Sequence, residues 1–463
     1  MTLTLRPYQL DLVERVEACP ARSALIVLPT GAGKTAVAEE LTRRETSRGG
    51  RVVFLADRLE LVEQAHSRLD SLGAEVLMGS RGHVDSASPV LVASVATLAR
   101  RGAAPDATLV FADEAHLYAA ESFRRVVDAY RSSGARVVGL TATPARLDGQ
   151  GLGSLFDEVI QGPSVAELID LGWLVPVRTY APTGPWWERA HLRGGDFAPE
   201  EIAQASTAVM RDVVGAWRRL GGHERPTLVF AATKVHAAEL ADAFSALDVG
   251  RAEVVTDETP APARRSVRER IQSGALRVVV TVGVLGTGFD APAIACIVMA
   301  RPTLSWSLYL QQGGRGMRPS PGKPDLLLVD AAGNSLRHGL LTRPFAVSLD
   351  GVRRLHRRAT AGLTTCGGCF RVYLSTEPLC PACKARRPAG ATRTVRQVDG
   401  QLVELTPAQE WAQRAPTSRQ LQLLSRWIAE ASAKGWKPNA PAARFRGMFG
   451  RYPTRRELEA ARG

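Results

Sequence analysis

The chain lacks long apolar runs, and it holds little lysine and few aromatic residues. Nowhere in its 463 residues does it approach the ~18 consecutive apolar residues that a membrane-spanning helix needs. The opening stretch, Met1 to Arg6, has no basic segment leading into an apolar one. No signal peptide is therefore expected, and the chain is expected to be intracellular. Aromatics make up 6%, charged residues 23% and apolar residues 45%, a mix that excludes disordered and collagen-like chains. The length suggests two or three domains at roughly 100–200 residues each.

Acidic charge is scarce in one part of the chain only. Residues 1–345 hold 38 basic and 38 acidic side chains, whereas residues 346–463 hold 21 and 8, which accounts for the whole formal charge of +13. A segment that basic usually meets a polyanion, most often nucleic acid. The cation is almost always arginine, with 53 arginines to six lysines. Cysteine is also scarce, and four of the six, Cys366, Cys369, Cys380 and Cys383, form two C-x2-C pairs ten residues apart. In an intracellular chain that spacing predicts a metal site rather than disulfides. Cys19 and Cys296 lie in apolar stretches and are expected to be small buried residues.

Between residue 22 and about 160, short β-branched runs alternate with helical patterns. Strands are expected at 23–28, 51–55, 90–93, 108–111 and 136–140, with helices near 34–44 and 58–72. Their continuous hydrophobicity fits strands buried on both faces of a parallel sheet. The pattern restarts near 226, with strands expected at 227–230, 252–255, 277–281, 294–299 and 326–329. The fold class is therefore α/β, with two parallel-sheet lobes in tandem. The division expected is a first lobe over 1–182, a linker and helical accessory element over 183–222, and a second lobe over 223–345. A cysteine module over 346–392 and a basic helical tail over 393–463 follow.

Leu28-Pro29-Thr30-Gly31-Ala32-Gly33-Lys34-Thr35 follows a strand and opens a helix. Glycines there let backbone N–H groups turn toward phosphates at a helix N-terminus. Lys34 is placed to reach the β and γ phosphates, and Thr35 to set its hydroxyl on Mg2+. The strict pattern wants glycine where Leu28 stands. About eighty residues on, a strand ends in Asp113-Glu114-Ala115-His116. Asp113 suits the Mg2+ shell, and Glu114 suits orienting and deprotonating an attacking water.

With these motifs in this order, the chain resembles a superfamily 2 helicase of the DEAD/DEAH-box type over about residues 3–345, and two RecA-like lobes follow from the resemblance. It implies that Arg6 and Gln9, in Arg6-Pro7-Tyr8-Gln9, read the adenine of ATP. Arg58, Ser94 and Thr97 fall in motifs that touch the nucleic-acid strand in the first lobe, and Thr233, Lys234 and Thr281 do so in the second. His116, Thr141 and Thr143 fall in motifs that couple hydrolysis to lobe movement. Gly288 and Asp290 lie in a stretch, 284–292, resembling a motif that contacts both ATP and nucleic acid. Gln311-Gln312-Gly313-Gly314-Arg315-Gly316-Met317-Arg318 resembles the Q-x-x-G-R-x-x-R motif, with Gln311, Arg315 and Arg318 acting on the γ-phosphate. Three residues apart, the two arginines are expected on one helix face.

The cysteine pairs are expected to form two knuckles on a hairpin, with 372–374 as a strand. Four thiolates suit a closed, structural Zn2+ site, with an iron–sulfur cluster as the lesser alternative. In the tail, Lys434 to Pro438 and Phe445 to Pro453 interleave aromatics with basic residues, which suits base stacking with phosphate contact. Module and tail resemble the RadD-like branch of the superfamily, which implies a DNA helicase or translocase acting in repair, recombination or replication. Its partners would be single-stranded or branched DNA, a single-strand-binding protein or a nuclease, with no membrane, in a cytoplasmic, nucleoid-associated setting. An RNA helicase and the motor subunit of a nuclease system are the alternatives.

Overall fold

The computed structural model describes residues 5–82, 88–102, 104–143, 151–182, 192–193, 196–197, 213–247, 250–283, 291–345, 347–350, 363–386, 396–398, 401–403, 418–433, 441–442, 444–445 and 461. Gly288 and Asp290, Pro185 to Trp187, and the tail stretches 434–440 and 446–453 lie outside them.

The first sheet has seven strands. They are β1 (Ser23–Val27), β2 (Val52–Ala56), β3 (Ala74–Leu77), β4 (Val90–Ser94), β5 (Leu109–Asp113), β6 (Arg136–Thr141) and β7 (Glu158–Gln161). Their spatial order is β3-β4-β2-β5-β6-β1-β7, and every pairing is parallel. Alternate side chains serve opposite faces. Ile26, Phe54, Val92 and Phe111 pack with helix residues Leu12, Val37, Leu41, Val62 and Leu69. Leu25, Val53, Leu55 and Val110 pack with Leu98, Val126, Val127 and Tyr130. Both faces are thus covered, which is why the strands read as unbroken apolar runs. β3 is different, with a buried–exposed–half-buried–buried pattern, and neither it nor β7 stands out in the sequence.

The second sheet has six strands in the order Glu253–Val255, Val278–Thr281, Thr227–Phe230, Cys296–Met299, Leu326–Val329 and β8 (Val177–Tyr180), again all parallel. β8 comes from the stretch that the sequence assigns to the first lobe. Asp325 anchors it, accepting from Arg178 Nε at 2.7 Å while also pairing with Arg225. Of the expected accessory helix, 213–219 is helical. Its Trp217 is fully buried, donates to Thr227 Oγ1 at 3.0 Å and meets Phe244 edge-on at 4.9 Å. One apolar cluster runs through both lobes, joining Leu168, Leu174 and Val175 to Leu326, Met317 and Tyr309.

Strand Leu363–Thr365 pairs antiparallel with Val372–Leu374 in the cysteine module, and the module packs on the end of β8. Ala181 N donates to Phe370 O at 3.2 Å, and the Arg371 guanidinium lies 5.4 Å over the Tyr180 ring.

Residues 388–463 form a separate unit. Within it, helix Ser418–Ala433 buries Leu424 and Trp427 with Phe445 and Ala461. Phe445 therefore packs inside this unit, contrary to the stacking role its interleaving with arginines suggested. Among the described residues, no helix is long and apolar enough to cross a membrane.

Candidate functional site

The site residues of the first lobe gather at the carboxyl ends of its parallel strands, where open α/β sheets hold their ligands. β1 leads into the loop 28–33, and Lys34 begins a helix that runs to Ser47. Gly31 and Gly33 have φ of +86° and +88°, a region in which a side chain would be strained. A Cβ on Gly33 would also collide with the Gln9 carboxamide. The loop leads into a helix N-terminus, where unpaired backbone N–H groups and a partial positive charge suit an anion. Leu28, in place of the strict glycine, is buried, and its N–H donates to Thr141 O at 3.0 Å. Lys34 Nζ lies 3.4 Å from Leu28 O, and Thr35 stands in the first turn of the helix.

Helix Pro7–Ala18 braces the loop from outside. Gln9 Nε2 and the Tyr8 hydroxyl both donate to Ala32 O, at 3.0 and 2.7 Å. Gln9 Oε1 accepts from Arg6 N at 2.9 Å, and the Arg6 guanidinium lies 4.5 Å over the Trp173 ring. Tyr8 and Trp173 are part of this support, and no motif in the sequence marks Trp173.

β5 ends at Asp113, and Glu114 follows in the left-handed region with φ +49°. Such a conformation is uncommon for a residue with a side chain. It turns the chain from β5 into the short turn Ala115–Ala119, and Glu114 N donates to Asp113 Oδ1 at 3.0 Å. Burial, with Glu114 beside it, pushes the Asp113 carboxyl up to about 7. His116 Nδ1 stands 3.5 Å from Glu114 Oε2 and 3.3 Å from Thr141 Oγ1, and burial holds its imidazole below the ordinary range. Thr141 Oγ1 donates to Thr143 O at 2.7 Å. The sequence-predicted trio His116, Thr141 and Thr143 is thus one buried hydrogen-bonded chain behind the acid pair.

The second lobe closes onto this cluster. Helix Trp306–Gly314 brings Gln311 Nε2 to Glu114 Oε2 at 3.3 Å, and Ser307 Oγ to Thr143 Oγ1 at 2.7 Å. A Cβ on Gly314 would stand 2.5 Å from Thr30 Cβ, so glycine is what lets the helix end meet the loop. Arg315 is buried, its guanidinium lowered by that burial and held up by Glu114 and Asp113. Arg318 does not share a helix face with it, because the helix stops at Gly314 and Arg315 is its cap. The three glycines around Arg315 disfavour a continued helix. Arg318 instead reaches the loop 28–33, where a Cβ on Gly31 would lie 3.0 Å from its Cγ. Burial, aided by Arg68, lowers its guanidinium to about 10. Ser307 was not singled out in the sequence, since a serine before the Gln-Gln pair carries no periodic or motif signal.

The residues expected on a nucleic-acid strand are more scattered. Arg58 precedes helix Leu59–Leu69 and is half-exposed. Ser94 and Thr97 are buried, and Thr97 Oγ1 accepts from Gly79 N at 2.9 Å. Thr233 caps helix Lys234–Ser245, accepting from His236 N at 3.1 Å. Lys234 pairs with Asp257 and Glu258 at 2.9 and 2.6 Å. Thr281 ends its strand fully buried.

The four module cysteines converge, all Sγ atoms lying within 4.8 Å of one another. Cys366 and Cys383 are 3.5 Å apart, and Cys369 and Cys380 are 3.6 Å apart. Thiolates at ~2.3 Å around one tetrahedral zinc stand ~3.8 Å apart, so the donor set and its spacing fit that ion. The knuckles match each other. Phe370 N donates to Cys366 O and Lys384 N to Cys380 O, both at 2.9 Å. Phe370 and Lys384 both have positive φ, +61° and +59°.

Residues 2–146 match the family model described as type III restriction enzyme, res subunit, and residues 211–320 match that described as helicase conserved C-terminal domain. A 51.5 kDa protein of a Lactococcus phage is 28% identical over 320 residues, covering 68% of this chain and 67% of its own length. The assigned ATP-dependent helicase IRC3 of Saccharomyces cerevisiae is 28% identical over 72% of this chain, which spans about half, 52%, of that relative. Among solved structures, a fragment assigned as the HsdR subunit of a type I restriction enzyme from Vibrio vulnificus superposes with a TM-score of 0.57 at 23% identity. That superposition covers 73% of this chain and 67% of the fragment.

Proposed function

We propose that this chain is an ATP-driven DNA translocase or helicase of superfamily 2, in its RadD-like branch, working in DNA repair, recombination or replication, a reading supported by its matches to the restriction-enzyme res-subunit and helicase C-terminal domain models. The observation that carries the reading is the hydrogen bond from Gln311 to Glu114, since it completes the acid pair with a residue of the opposite lobe. In this reading Lys34 and the loop 29–33 hold the β and γ phosphates, and Gln9 and Arg6 hold the adenine. Thr35 and Asp113 hold Mg2+, which when bound neutralises charge on the phosphate oxygens. Glu114 orients a water and takes its proton, while Gln311 fixes the Glu114 carboxylate. Arg315 and Arg318 neutralise charge developing on the γ-phosphate. Through the Thr143–Ser307 hydrogen bond, hydrolysis is felt by both lobes, and their opening shifts grip along the strand.

DNA is favoured over RNA by the restriction-enzyme family of the first domain and by the basic segment after residue 345. Backbone contacts dominate such a grip, so the motor reads strand geometry rather than sequence. We place zinc on the four cysteines as a structural ion that holds the module against β8. We divide the chain as the sequence suggests, with β8 counted in the second lobe. The same restriction-enzyme match supports a second reading, the motor subunit of a nuclease system whose nuclease is another chain. ATP turnover measured with single-stranded, duplex and forked DNA and with RNA tests the proposal. Stimulation by RNA alone would overturn it.

A further inference from the structure

Lysine is the rare cation of this chain, and one lysine is held in an unusual way. Lys323 is partly buried, and its Nζ donates to Arg318 O at 2.7 Å and to Pro292 O at 3.1 Å. Both carbonyls belong to segments singled out in the sequence. Arg318 ends the arginine motif, beyond the helix that Arg315 caps, and its Cγ stands at the loop 28–33. Pro292 closes the stretch 284–292. Past Gly314 no helix supports Arg318, so its backbone has to be held by something else.

We propose that Lys323 is a positioning residue, clamping the Arg318 backbone to Pro292 and so setting where the Arg318 side chain meets the phosphate loop. An ammonium suits this task because it is a compact charge whose donors can serve two carbonyls at once, whereas a guanidinium is a wide planar fork. Bonds from a charged donor are also roughly twice as strong as neutral ones. The charged groups facing Lys323 are Arg318 and Arg225, and partial burial together with these two cations lowers its ammonium to about 7. Asp325, two residues on, is committed to Arg178 and Arg225. The clamp therefore weakens as pH rises past about 7. This inference rests on the reading of Arg318 as a phosphate-facing arginine.

The test uses the full-length chain with K323M and K323Q. ATP turnover with single-stranded DNA is measured between pH 6 and 8.5, with melting temperature and ATP affinity as controls. K323M is expected to lower kcat about 10- to 100-fold, the scale of a small misplacement of reacting groups, with KM for ATP little changed. K323Q restores two N–H donors without charge and is expected to recover part of the loss. The parent's kcat is expected to decline as pH rises past about 7, and K323M to lack that step. Parental kcat in K323M, while Lys34→Ala abolishes turnover, overturns the positioning role alone. So does a K323M chain that melts early and loses ATP binding and turnover in proportion, because Lys323 is then only a structural support. A parent chain with no ATPase activity overturns the reading of the site along with it.

Discussion

Gln311 Nε2 donates to Glu114 Oε2 at 3.3 Å, from the second lobe to the first. The same carboxylate oxygen stands 3.5 Å from His116 Nδ1. Glu114 is thus held from both sides, and its orientation depends on lobe closure. Gln311→Ala is expected to lower kcat by about 10²-fold, the usual worth of positioning a general base. Glu114→Gln is expected to bind ATP and not hydrolyse it. Steady-state turnover with a separate nucleotide-binding assay checks both, and parental turnover in Glu114→Gln would remove Glu114 from the base role.

Arg315 and Arg318 approach the site differently, one within electrostatic reach of Glu114 and Asp113 and one at the loop 28–33. Arg315→Ala is expected to cost about 10³-fold in kcat, as for arginines that stabilise phosphoryl transfer, with far less effect on ATP affinity. A loss of affinity with unchanged turnover would contradict this.

Thr143 and Ser307 share a buried hydrogen bond of 2.7 Å across the lobes. A neutral bond of this kind is worth about 0.5–1.5 kcal/mol. Thr143→Val and Ser307→Ala are each expected to uncouple ATP turnover from strand movement. The double variant is expected to be no worse than either single one, because both remove the same contact. Additive losses in a translocation assay would show that the two hydroxyls act separately.

The four cysteine sulfurs lie at zinc-like spacing, so metal analysis is expected to return about one zinc per chain. Cys366→Ser is expected to open the module to proteolysis, with Lys34-dependent ATP binding retained. A visible chromophore with iron would replace zinc by a cluster.

Residues 388–463 hold 13 basic and 6 acidic side chains, and they form a unit of their own. A truncation after 387 keeps the cysteine module on β8, which a cut at 345 would remove along with the contacts at Tyr180 and Ala181. The truncated chain is expected to bind single-stranded DNA more weakly and with a shallower salt dependence. Each lost phosphate contact removes about 0.7 from the log–log slope. Unchanged affinity and slope would remove the tail from the DNA grip.

The amino-acid sequence alone determined the parallel lobes, the glycine loop before the helix, the acid pair and the four sulfurs. Each is a local matter: an apolar run buried on both faces, glycines before a helix, ligands two residues apart. Tertiary structure alone decided the rest. β8 joins the second sheet because Asp325 and the register with Leu326–Val329 hold it there, and a strand's own residues do not name its partner. Arg318 leaves the helix because glycines end it at the contact with the loop 28–33. Gln311 with Glu114, Ser307 with Thr143, and Lys323 with Arg318 and Pro292 depend on hydrogen bonds a few ångströms long. Those distances are set by how the chain packs, and spacing along the sequence carries no record of them.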